Sequence, residues 1–244
     1  MIEIKLFKNY ELKGYTLIDA FPGVGLVGPM TGSYIIEKLR MENIGYIDSD
    51  QFPPIAAIHG GMPMFPARIY KDDRYKIVIV ISEFVIPAMV VYQLSRELLA
   101  FTRKMGISKI VSISGMPSNK PSETAYVTSP DAATLKKATK QGIKTINEGV
   151  VAGVGALLMA NSGQFKIESM NILVEVNPQV MDPKYAEIAI RALNKITDIN
   201  IDLKDLEEEA KVVEARMREL MKKTKETPEH YNNAAEATGP SMYA

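Results

Sequence analysis

Tyr15–Met30, YTLIDAFPGVGLVGPM, is the stretch that decides the fold. Its first seven residues are mostly apolar and end at a Pro-Gly pair, too short a run for a helix, so they read as a buried strand over Tyr15–Phe21. Gly23, Gly25 and Gly28 follow in the pattern G-x-G-x-x-G, and an apolar stretch with helical spacing runs on over Gly28–Met41. Strand, glycine turn and helix in that order open an α/β fold.

The same alternation continues outward from this unit. ENIGYIDSD (42–50), AAIHGGMPMFPARIYK (56–71), Tyr75–Phe84, Ser108–Met116, AYVTSP (125–130) and Met170–Val176 read as strands. Several are nearly unbroken Ile/Val runs, as expected of strands covered on both faces. Helices are predicted over Pro87–Met105, Asp131–Gly142, Val150–Asn161 and Pro183–Thr197. In the first of these Val91, Leu94, Leu98, Leu99 and Phe101 form an apolar stripe, with Gly106 as its stop. The pattern predicts an α/β three-layer sandwich over residues 1–200, with a largely parallel or mixed central sheet.

Beyond residue 200 the chain is charged and free of Gly and Pro as far as Thr227. Leu203, Leu206, Ala210, Val213, Met217 and Leu220 recur at spacings of 3 and 4, which predicts an amphipathic helix over 201–226 lying on its own domain or on a neighbouring subunit. Pro228 ends it. Residues 227–244 carry too little apolar surface to offset the entropy of ordering them, so a flexible tail is expected. That tail closes on Met242, Tyr243 and Ala244.

Composition narrows the function classes. The 29 basic and 29 acidic residues cancel, which removes the strongest prior for nucleic acid or an anionic membrane as partner. The absence of cysteine excludes a disulfide framework, a thiolate nucleophile and a Cys-based zinc site, and fits a cytoplasmic location. No apolar run reaches the roughly 18 residues of a membrane span, and the charged start resembles neither a signal nor a transit peptide.

The glycine motif is the first candidate for chemistry, since a dinucleotide site needs this strand–turn–helix context, and Asp48 and Asp50 lie near the expected offset of a ribose-binding carboxylate. Pro22 and Pro29 argue against it: one fixes φ at the turn, and the other removes an amide near the helix start where a pyrophosphate is held. The bland alternative is that the glycines allow a tight turn and close helix-to-sheet packing. His59 and His230 lack ligand spacing, so no metal site is predicted. A triad of His59 with Ser82, Ser112 or Ser114 lacks the G-x-S-x-G context, and no catalytic residue or cofactor is assigned. The loops at Ser82–Phe84 and Ser114–Pro121 follow the most hydrophobic strands, where open sheets place their crevices. Glu83 and Glu123 form a carboxylate pair only if folding joins them.

Taken in order, FPGVGLVG, the Ser82-Glu83 and SGMP loops, GVVAGVGALLM (Gly149–Met159), LVEVNP (Leu173–Pro178) and MDPKYAEIAIRAL (Met181–Leu193) resemble the proteasome assembly chaperone family in its archaeal form. The resemblance spans roughly residues 10–220. It implies a sandwich related to nucleoside phosphorylases without a retained active site, assembled into homo-oligomers of four or five subunits. It also gives the terminus a meaning, because such proteins end in a hydrophobic residue, a tyrosine and any last residue. Met242, Tyr243 and Ala244 match that pattern, as a docking plug for the α subunits of the proteasome core particle. The expected function is therefore a non-enzymatic assembly chaperone or ATP-independent activator. The alternatives are a nucleotide- or nucleoside-acting enzyme using the Gly23–Gly28 turn and the Ser114–Ser118 loop, and an oligomeric scaffold whose tail is irrelevant.

Overall fold

The structure is a computed structural model that describes residues 1–197, 199–204, 206 and 215. Among the described residues, strands β1 (Ile2–Leu6), β2 (Thr16–Ala20), β3 (Glu42–Ser49), β4 (Ala57–His59), β5 (Met62–Met64), β6 (Ala67–Asp72), β7 (Ile77–Ser82), β8 (Lys109–Pro117), β9 (Ala125–Thr128), β10 (Lys144–Thr145) and β11 (Glu168–Val176) are interspersed with α-helices. The helices up to residue 197 are α1 (Val27–Leu39), α2 (Ala88–Lys104), α3 (Ala132–Lys140), α4 (Val154–Phe165) and α5 (Pro183–Ile196).

Nine strands form one sheet in the order β1-β3-β6-β7-β2-β8-β11-β9-β10, and β4 and β5 form a separate hairpin. The centre, β7-β2-β8-β11, is parallel, and antiparallel pairs flank it, so the sheet is mixed. Ile77, Val78, Ile79, Val80 and Ile81 of β7 are all buried, because helices cover both faces. Ile18, Ile79, Val111 and Ile172 point to the layer of α1 and α5, and Leu17, Val78, Val80 and Ile110 to that of α2 and α4. The expected α/β three-layer sandwich is what forms.

Three local readings change. The predicted strand over 56–71 breaks into β4, β5 and β6, since Gly60 and Gly61 at φ 56° and 80° make a two-residue hairpin turn. The helix predicted from Val150 begins at Val154, held back by Gly153 at φ 92°, and continues through Gly163 to Phe165. The N-terminal segment is strand β1, paired antiparallel with β3; its alternation I-E-I-K-L carries the period of a half-buried strand.

The chain after α5 packs onto the α1/α5 layer. The Asn194 carboxamide exchanges two 2.9 Å hydrogen bonds with the Ile201 backbone, and the Tyr34 hydroxyl donates to Asp202 O at 2.7 Å. Leu203 is half-buried against this core, Leu206 is helical and buried in it, and Ala215 is helical and exposed. The first two positions of the predicted seam thus pack within the chain. Ala210, Val213, Met217 and Leu220, most of the predicted helix over 201–226, and the segment 227–244 lie outside the described residues.

Candidate functional site

The glycine turn resolves into packing. After β2 the backbone runs through Gly23 into a 3-10 turn over Val24–Leu26 and then α1. A Cβ on Gly28 would stand 2.7 Å from Phe21 O and 3.1 Å from Ile113 O, so α1 approaches the sheet as only glycine permits. Gly25, at φ 67°, faces the Val176 side chain, 2.9 Å from where its Cβ would be. Pro29 occupies the first turn of α1 and withholds an amide there. Asp48 and Asp50 sit on and just after β3, which β6 and β7 separate from β2. Asp50 is bound instead by the N-terminal ammonium at 2.5 Å. The carboxylates of the sequence motif and its glycines are not brought together.

A cleft of about 390 Å³ opens beside this turn, over the carboxyl ends of β2 and β8. Phe21, Ile86, Val91, Met116, Val151 and Leu173 are among its walls, and Ser114 and Gly115 of the predicted loop reach it. A second cavity of about 370 Å³ shares Met116, Val150, Val151 and Leu173 with it and extends toward Thr128. The irregular segment before α4 runs between the two, with Val150 96% exposed.

Beneath α4 the floor is polar. Strand register places Asp19 beside Ser112, Ser112 beside Asn171 and Asn171 beside Thr128, one residue from each of four adjacent strands. Asp19 alternates with Ile18 and Ala20, so it lies on the face of α2 and α4. Gly155, in the first turn of α4, lies directly over it: a Cβ there would be 2.9 Å from Ser112 Oγ and 3.0 Å from Asp19 Oδ2. Asp19 is 3% exposed and lines the cleft. Burial pushes its carboxyl up to about 6, opposed by the Phe21 amide at 3.2 Å and by the neighbouring Ser112 hydroxyl. Ser112 Oγ itself, like both polar atoms of the Asn171 carboxamide, lacks a well-formed hydrogen bond to any described residue. Leaving such groups unpaired costs roughly 1–3 kcal/mol each, so this row is the least satisfied part of the core.

The other sequence candidates go elsewhere. His59 Nε2 lies 2.6 Å from Glu83 Oε1, which also accepts from the Arg68 guanidinium at 2.5 Å; this ties the β4–β5 hairpin to the end of β7. Ser82 Oγ donates to Phe84 O at 2.6 Å, so neither it nor His59 is free for a triad. Glu123 pairs with Lys184 at 3.8 Å, in a separate network from Glu83. No group of three potential metal ligands occurs among the described residues. Nor is any helix among them long and apolar enough to cross a membrane. Met242, Tyr243 and Ala244 lie outside the described residues. Sequence reasoning does not single out Asp19, Ser112 and Asn171 as a group, although each interrupts the apolar run of its strand.

A doubly covered mixed sheet, a glycine-packed first helix and a cleft at the strand ends define a class of α/β sandwich, and the comparisons place it. The PAC2 family profile matches residues 17–221, and the chain belongs to the PAC2 family. A protein of Methanocaldococcus jannaschii is 26% identical over 210 residues, covering 86% of this chain and 87% of its own. Among solved structures, Pyrococcus furiosus PbaA, described as an archaeal homolog of proteasome-assembly chaperone, superposes with a TM-score of 0.81 at 24% identity, over 95% of this chain and all of its own. P. furiosus PbaB, described as an archaeal proteasome activator, gives 0.74 at 19% identity, over 90% of this chain and 98% of its own. These likenesses establish a shared fold.

Proposed function

We propose that this protein is a non-enzymatic proteasome assembly chaperone or ATP-independent activator, working in the cytoplasm and binding the outer ring of the core particle through Met242, Tyr243 and the carboxylate of Ala244. The observation that carries the reading is the near full-length likeness to PbaA and PbaB. The order of residues at the terminus supports the docking role. A C-terminal carboxylate is a charge found nowhere else on a backbone, and a pocket offering a lysine or backbone amides captures it in a charge-assisted contact. The tyrosine ring adds rigid apolar area and a hydroxyl that needs one partner, while Met242 adapts to the wall beside it.

The body is a homo-oligomer of four or five subunits in this reading. Val85, Met89 and Tyr92 supply an apolar strip at the start of α2, with Met89 77% exposed, and Ile58 and Met62 are exposed on the hairpin that His59 ties to the same strand end. Exposed apolar surface of this kind marks contact sites. Several tails on one ring then bind jointly, and linked weak contacts raise avidity roughly 10²-fold or more.

A pull-down of purified core particle tests the reading, with peptide hydrolysis in the absence of ATP as the second readout. Full-length protein should capture the particle, whereas Tyr243→Ala and a chain lacking the last three residues should not, with oligomer size unchanged in both. Capture by both variants at the parent level would refute the plug.

A further inference from the structure

We propose that the cleft beside Asp19 binds a small primary amine with an apolar body, its ammonium held by the Asp19 carboxylate. The inference stands apart from the proteasome reading and rests on two observations. The first is space: a cleft of about 390 Å³ falls in the range of small-molecule sites, and its walls are largely apolar.

The second is charge. Asp19 is the only charged residue among those lining the cleft, where no lysine, arginine or histidine stands among the described residues. A carboxylate 3% exposed with no cation beside it is costly to ionise and is relieved by a ligand that brings the cation in. The same charge rejects phosphates and carboxylates, which sets this site apart from a nucleotide pocket.

An ammonium has three donors and no acceptor, so a carboxylate, which only accepts, is its natural partner. Its apolar substituent then lies along Phe21, Ile86, Val91 and Met116. Val150 and Val151 lie beside the opening, in the irregular segment that leads to Gly153.

The probe is 2-phenylethylamine, with 2-phenylethanol as its uncharged counterpart, titrated calorimetrically into the full-length protein at about pH 7.5, where the carboxylate is ionised. The amine should bind with sub-millimolar affinity and the alcohol at least about tenfold more weakly, a difference of about 1.4 kcal/mol. Amine affinity should fall as pH drops through the Asp19 titration. Asp19→Asn should remove the preference for amine over alcohol. Ser114→Leu, which narrows the cleft and leaves the carboxylate in place, should weaken both probes. No binding of the amine at millimolar concentration would overturn the proposal, as would equal binding of amine and alcohol, or an Asp19→Asn protein that binds the amine like the parent. If Asp19→Asn does not fold, the amine-to-alcohol ratio in the parent and the loss in Ser114→Leu still decide the matter.

Discussion

Replacing Asp19 by Asn should stabilise this protein at neutral pH and leave it nearly unchanged in acid. Burial raises the carboxyl from its ordinary 3.8 to about 6. The folded state therefore holds a proton that the unfolded chain has already released between those values, and stability falls as pH rises across that window. Roughly two pH units at about 1.4 kcal/mol each make a cost of about 3 kcal/mol above about pH 6. Asn keeps the shape of the protonated acid, still offers an oxygen to the Phe21 amide, and has no charge to bury. In urea titrations the variant should exceed the parent by up to about 3 kcal/mol near pH 7.5, and the two should draw together near pH 4. For a chain of this size the neutral-pH gap corresponds to about 6–12 °C in Tm. Other titrating groups cancel in the comparison of parent with variant. A gap that is the same at both pH values, or one that widens in acid, would refute the account of Asp19 as a buried carboxyl without a cation.

Gly28→Ala forces a Cβ against two backbone carbonyls and should cost about 1–3 kcal/mol or more, whereas Gly23→Ala, with nothing within 4 Å and φ −143°, should stay within about 0.5 kcal/mol of the parent. Equal losses in urea would show that the motif's glycines are not distinguished by packing. Glu83→Ala strips the buried Arg68 guanidinium of its carboxylate and should cost about 3–5 kcal/mol by the same measurement. A loss below about 1 kcal/mol would place that pair on the footing of a surface salt bridge.

The layers of the fold were legible because period and length settle them. β7 reads IVIVIS and is buried along its whole length, and the α2 stripe at Leu94, Leu98, Leu99 and Phe101 falls on its buried side. The β4–β5 hairpin escapes a reading by apolar run, which carries Gly60-Gly61 inside one longer strand, although that pair is itself a turn signal. The polar row was not legible for a different reason. Asp19, Ser112 and Asn171 are 93 and 59 residues apart along the chain, and only the strand order β2-β8-β11 makes them neighbours. Sequence alone shows that each interrupts an apolar strand; it does not show that they share a face.

Glycine is used twice in this sandwich for the same mechanical purpose, and the difference between the two places says where binding chemistry can reside. On one face Gly28 lets α1 settle onto the carbonyls of Phe21 and Ile113, backbone groups that any sequence would present, so the G-x-G-x-x-G match reports close packing. On the other face Gly155 lets α4 settle onto Asp19 and Ser112, groups that depend on the side chains present, and one of them still lacks a good hydrogen bond. A site specified by side chains can be altered without rebuilding the turn that holds it. Because the cleft is built by the body and the proposed docking plug by the last three residues, Asp19→Asn should leave core-particle capture intact and Tyr243→Ala should leave amine binding intact. Loss of both properties in either variant would mean that cleft and tail act as one device.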